Sequence, residues 1–184
     1  MIVLASASPR RRELLGRIVT DFAVEPADID EHLDSADPEV VVSELAVRKA
    51  SYVARKRPHD LVIGCDTIVC ADGWILGKPR DLEDAARMMR ILAGREHAVY
   101  TGVAMIRGPR RLYRRDRTKV RFTPIDEEEI EAYVHSADVL DKAGAYAIQG
   151  AASRFISFIE GSPSGVMGLP VEMVYHMLRE FDAV

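Results

Sequence analysis

The chain alternates short apolar runs with longer amphipathic stretches, the pattern of strands interleaved with helices. Ile2 to Ala5 is an apolar run that predicts a strand. Ser8 is suited to cap the helix that follows, and Pro9 to its first position, where a missing N–H costs nothing. Phe22-Ala23-Val24 predicts a further strand, followed by an acidic loop with Asp28, Asp30 and Glu31. Asp37-Pro38 opens a long helix that must end before Pro58. Its apolar stripe reads Val42, Leu45, Ala46, Lys49 and Val53. Lys49 lies in that stripe, so it either faces inward or snorkels to the surface.

Leu61 to Cys70 is the strongest strand, almost continuously apolar, as a central strand covered on both faces would be. Asp66 interrupts it. A carboxylate there must be paired, metal-bound or functional, because burying a bare charge is costly. Ala71-Asp72-Gly73 turns the chain into Trp74-Ile75-Leu76, and Gly77-Lys78-Pro79 forms a tight loop. A helix capped by Asp81 runs to Leu92 and stops at Gly94. Ala98–Ile106 and Leu112–Phe122 predict two strands joined at Gly108-Pro109. The basic run from Arg110 to Arg121 reads as a solvated edge hairpin, with a nucleic-acid surface as the lesser alternative. Asp126 and Glu129 resemble a capping box for a helix to Ser136. A strand over 154–159, a loop over Glu160–Gly165 and a final helix from Pro170 complete the chain. The order of elements predicts an α/β fold with a mixed sheet, in one domain over residues 1–184.

Composition narrows the function. The 184 residues are 48% apolar and 29% charged, with a net charge of −4. Bulk charge therefore argues against nucleic acid and anionic membrane surfaces, and any anion site must be local. Two cysteines, Cys65 and Cys70, lie an odd number of residues apart in one strand. They point to opposite faces and read as buried thiols in a reducing compartment. No long apolar run and no basic leader is present, so a cytoplasmic protein is expected.

The opening Ser6-Ala7-Ser8-Pro9-Arg10-Arg11-Arg12 places three cations at the wrong end of a helix. The helix dipole already puts about half a positive charge there. Either the arginines are simply solvated, or an anion such as a phosphate chain resolves the conflict. Groups for phosphate chemistry recur at element ends: Ser6, Ser8, Arg10, Arg11, Glu31, Lys49, Asp66 and Lys78. The carboxylates suit Mg²⁺ or Mn²⁺, and the cations suit a polyphosphate. Other chemistries are poorly served. The five histidines form no metal-spaced pair, Gly77-Lys78-Pro79 lacks the rest of a Walker A loop, and Pro163 stands where a nucleophile elbow needs serine.

These segments, in this order, resemble the Maf family of nucleoside triphosphate pyrophosphatases. The matching strings are Ser6-Ala7-Ser8-Pro9-Arg10-Arg11, Asp30-Glu31, Lys49-Ala50, Gly64 to Val69, Gly77-Lys78-Pro79, Thr101-Gly102-Val103, Asp141 to Gly150 and Gly168-Leu169-Pro170. The resemblance implies a two-lobed, inosine-triphosphatase-like fold with an elongated mixed sheet and a central cleft. It implies metal-dependent cleavage of a nucleoside triphosphate to a monophosphate and pyrophosphate, and a homodimer. Asp66 would be the proton acceptor, with Glu31 as a second metal or water ligand. Ser6, Ser8, Arg11, Lys49 and Lys78 would hold phosphates. Arg10, Thr67 and Gln149 match the dTTP/UTP branch as specificity positions. The Gln149 amide offers a donor and an acceptor, as the edge of uracil or thymine requires. Modified pyrimidine nucleotides are then further substrates, and nucleotide-pool cleaning is the expected role. Alternatives are an inosine or xanthosine triphosphate pyrophosphatase and a nucleotide-binding regulator of cell division. One departure is clear: Gly165 stands where much of the family carries asparagine.

Overall fold

The computed structural model describes residues Met1–Val184. Seven strands form one mixed sheet: β1 (Ile2–Leu4), β2 (Phe22–Val24), β3 (Leu61–Ala71), β4 (Trp74–Leu76), β5 (Glu96–Arg107), β6 (Arg110–Phe122) and β7 (Ile156–Glu160). The order is β2-β1-β3-β5-β6-β7, with β4 also on β3. β1 is parallel to β2 and β3, while β5, β6, β7 and β4 join antiparallel. The helices are α1 (Pro9–Leu15), α2 (Pro38–Ala54), α3 (Leu82–Leu92), α4 (Glu127–Ser136), α5 (Pro163–Val166) and α6 (Val171–Glu180).

Side-chain alternation along β3 distributes the core. Leu61, Ile63 and Cys65 pack under α1 and α6, with Leu14, Val174, Met177 and Phe181. Farther along the same face, Val69 and Ala71 pack under α3 and α4, with Met89, Leu92, Ile130 and Tyr133. Between these two apolar clusters runs a polar row. Thr67, Thr101 and Asp116 lie side by side across β3, β5 and β6. That row is the waist between two lobes. The opposite face is covered by α2, whose Val42, Ala46, Ala50 and Val53 are buried against the sheet. Two glycines let α2 sit close. A Cβ at Gly64 would run into the Ala46 carbonyl, and one at Gly102 would lie 2.8 Å from the Val42 carbonyl carbon.

One irregularity of the sheet creates the site. β5 occupies one edge of β3 continuously from Val62 to Cys70. On the other edge β1 pairs only with Leu61–Ile63, and β4 only with Val69–Ala71. Gly64 to Ile68 thus face a notch between two diverging strands.

Several elements differ from the sequence expectation. The strand expected over 154–159 spans Ile156–Glu160, because Ala151–Phe155 form a 3₁₀ turn that buries Ala152 and Phe155. The expected loop before Val166 contains α5, nucleated by Pro163 and by the Ser162 hydroxyl accepting from the Gly165 N–H. β6 is not wholly an edge strand, since Lys119–Phe122 pair with β7. Its basic side chains are largely matched with acids: Arg114 with Glu180, Arg115 with Glu39 and Arg121 with Glu96. Pro170 caps α6 without entering it.

Candidate functional site

The notch opens into a cavity of about 560 Å³, within the ordinary range for a small-molecule site. All ten residues singled out in the sequence line it: Ser6, Ser8, Arg10, Arg11, Glu31, Lys49, Asp66, Thr67, Lys78 and Gln149. They come from both lobes and from both faces of the sheet.

Asp66 and Lys49 form the floor. Lys49 does not snorkel; it is 7% exposed, and its Nζ donates to Asp66 Oδ1 at 2.6 Å. The same ammonium lies 2.9 Å from Glu31 Oε1. Burial pushes Asp66 above the usual carboxylate range, while Lys49 and Arg11 pull it back. The neighbouring Cys65 thiol is pushed up to about 11 by burial, so it is no nucleophile at neutral pH.

The Ser6–Arg12 stretch separates into distinct uses. Ser8 caps α1 by accepting from the Arg11 N–H at 3.4 Å. Ser6 Oγ accepts from the Ser8 N–H and from Arg11 Nη1. Each hydroxyl acts only as acceptor in these bonds, so its own proton remains available to a ligand. Arg11 is mostly committed within the protein. Its Nε donates to the Gly168 carbonyl at 2.8 Å and its Nη2 to Thr67 Oγ1 at 3.0 Å. With the Ser6 bond, three of its donor nitrogens bracket α1, β3 and the loop before α6. Arg10 instead reaches Asp141 across the cavity mouth. Arg12 is exposed and lies outside the cavity lining.

Thr67 is likewise engaged. Its hydroxyl bonds that of Thr101 at 2.9 Å, and Thr101 donates to the Gly165 carbonyl at 2.8 Å. This relay of hydroxyls fixes α5, which carries Gly165. A Cβ at Gly165 would meet the Asp116 carboxylate, 3.0 Å from its Cγ, so Asp116 fills the space beside the polar waist. Lys78 and Gln149 are exposed on the rim, and Lys78 makes no ion pair.

Asp141, Lys142 and Tyr146 also line the cavity; they lie in the matched string Asp141 to Gly150, but sequence reasoning gave them no role. A buried carboxylate, Asp84, was also missed. It accepts from the Arg80 N–H at 3.1 Å and so closes the loop that presents Lys78.

The donor set bears on a metal. No group of three or more His, Cys, Asp or Glu gathers to hold one. Two carboxylates, Glu31 and Asp66, do converge on one cationic group. That set fits Mg²⁺ in its usual mode beside phosphates, where one or two carboxylates bind and substrate oxygens complete the shell.

The fold and site define a two-lobed α/β protein with a cation-rimmed cavity at a sheet notch. The chain matches the family model described as "Maf-like protein" over residues 1–181, and it belongs to that family. It is 48% identical over 179 residues to a dTTP/UTP pyrophosphatase of Koribacter versatilis, covering 97% of this chain and 93% of that one. It is 45% identical over 181 residues to one of Symbiobacterium thermophilum, covering 98% and 93%. A third, from Thermococcus onnurineus, is 45% identical over 180 residues, covering 98% and 97%. Among solved structures, the Staphylococcus aureus Ham1 protein matches with TM-score 0.54 at 14% identity, covering 98% of both chains. That match shows the shared fold alone.

Proposed function

We propose that this protein hydrolyses nucleoside triphosphates, dTTP and UTP foremost, between the α and β phosphates to give a monophosphate and pyrophosphate. The observation that carries this reading is the buried Asp66–Lys49 pair on the floor of a cavity lined by Arg10, Arg11, Lys78 and two serine hydroxyls. The names and identities of the relatives support the substrate class.

Asp66 is the base that takes a proton from the attacking water. Lys49 favours its ionised form against the burial that opposes it, and holds the carboxylate in place. Pyrophosphate departs with negative charge, which Lys78, Arg10 and the Ser6 and Ser8 hydroxyls meet. Arg11 contributes chiefly by fixing α1 against β3. A divalent cation bound by Glu31 and Asp66 would offset phosphate charge and polarise the P–O bonds. Gln149 pairs with the donor–acceptor edge of a pyrimidine, while Thr67 acts on selection through Arg11, because its hydroxyl is already bonded.

No helix is long and apolar enough to cross a membrane. A cytoplasmic location accords with two free cysteines, and a homodimer with the family reading. Sedimentation of the purified chain at twice the monomer mass is the expected result.

A nucleotide panel with Mg²⁺ or Mn²⁺ tests the substrate assignment. Preferential turnover of dTTP and UTP is expected. Equal turnover of all bases would remove the role of Gln149, and preference for ITP or XTP would overturn the pyrimidine assignment.

A further inference from the structure

Asp141 stands on the cavity rim between two cations. Its Oδ2 accepts from Arg10 Nη1 at 3.2 Å, and its Oδ1 pairs with Lys142 Nζ. Lys142 also reaches Asp138 Oδ2 at 3.2 Å. Arg10 belongs to α1 in one lobe, whereas Asp141 follows α4 in the other, so their pair spans the cavity mouth. The Lys142 side chain is only 13% exposed although it lines the cavity, while that of Asp141 is 47% exposed.

The backbone anchors the loop that carries Lys142. Gly144, at φ +67°, presses against β3; a Cβ there would lie 2.9 Å from Val69 Cγ2. Its N–H donates to the Gly77 carbonyl at 3.0 Å. The loop bearing Lys142 is thereby tied to the loop bearing Lys78. Three cations, Arg10, Lys78 and Lys142, face one cavity, and a single carboxylate serves two of them.

We propose that Lys142 is a further triphosphate-binding residue and that Asp141 is its built-in competitor, which an entering polyphosphate displaces from Arg10 and Lys142. This inference rests on the pyrophosphatase reading above. An ion pair as exposed as Arg10–Asp141 is weak, so exchange is easy. A polyphosphate chain offers each cation several charged oxygens at once. In the empty cavity Asp141 keeps two like charges from repelling each other; in the filled cavity the phosphates do so.

A purely structural role for the cluster, pinning the segment over 138–142, predicts that Asp141→Asn weakens binding instead of tightening it. Inorganic tripolyphosphate is titrated into the full-length chain by calorimetry. Asp141→Asn is expected to bind it about three to ten times more tightly than the wild type. Lys142→Met is expected to bind it several-fold more weakly, and Asp141→Asn/Lys142→Met to keep only the part of the gain that the freed Arg10 provides. Weaker or unchanged binding by Asp141→Asn overturns the competitor role, as does undetectable binding by every form. Undiminished binding by Lys142→Met overturns the role of Lys142. Wild-type protein that releases no pyrophosphate from any nucleotide would overturn the pyrophosphatase reading instead, whatever the titrations show.

Discussion

Arg11 was legible in the sequence as a cation beside a helix start, but not as a bracket. Its acceptors Thr67 and Gly168 lie 56 and 157 residues away, and no local pattern encodes such pairings. A lysine cannot reproduce a guanidinium that donates to Ser6, Thr67 and Gly168 at once. Arg11→Lys should therefore cost about 2 kcal/mol of stability, read by chemical denaturation, together with a loss of turnover. Asp66 and Lys49 were legible for a simpler reason: each is a charge at a position whose neighbours are apolar. Asp66→Asn is nearly isosteric and keeps the bond from Lys49 possible at its carbonyl oxygen. It should fold normally, by circular dichroism and melting temperature, yet lose about 10²- to 10⁴-fold in turnover, the usual contribution of a positioned general base. Asp141 gave no such signal, because an exposed acid next to a lysine looks like any solvated pair.

At the scale of elements, the long strands and capped helices followed from pattern, and the short pieces did not. Asp37, Asp81 and Asp126 each cap the helix expected of them. The 3₁₀ turn at Ala151–Phe155 and the single turn of α5 are too short for periodicity, and their form depends on burial against neighbouring strands. The placement of α2 is a matter of backbone clearance. Gly64→Ala would force its Cβ into Ala46 and Ala50, displacing the helix that carries Lys49. A loss of about 1–3 kcal/mol is expected from overpacking, with kcat falling as Lys49 moves relative to Asp66. Thermal melts and steady-state kinetics on one preparation read both. The joint between β5 and the cavity wall is expected to respond to pH through His97. His97 Nε2 bonds Tyr146 Oη at 2.8 Å, and its Nδ1 is buried without a partner. Burial lowers its pKa to about 4, against a small opposing effect of Glu96. The unfolded chain binds this proton near pH 6.5 and the folded chain only near 4. His97 thus favours folding above pH 6.5, and that advantage is lost as pH falls from 6.5 to 4, by about 3 kcal/mol. His97→Gln should flatten the stability profile in that interval, measured by denaturant unfolding at a series of pH values.

For the whole molecule, the decisive feature is the gap in the pairing of β3. β1 and β4 leave the same edge at its two ends, and of the unpaired stretch between them Asp66, Thr67 and Ile68 line the cavity. The sequence showed β3 as central and Asp66 as anomalous, yet nothing local says which neighbours a strand lacks. The two apolar clusters and the polar row between them follow the same division into lobes. Residues of both lobes line the cavity, and the Arg10–Asp141 pair joins the lobes across its mouth. The most direct test follows ³¹P resonances of dTTP with a divalent cation and either wild-type protein or Asp66→Asn. The account predicts dTMP and pyrophosphate as sole products from the wild type, and almost no conversion by the variant. Orthophosphate with dTDP, or undiminished cleavage by Asp66→Asn, would contradict it.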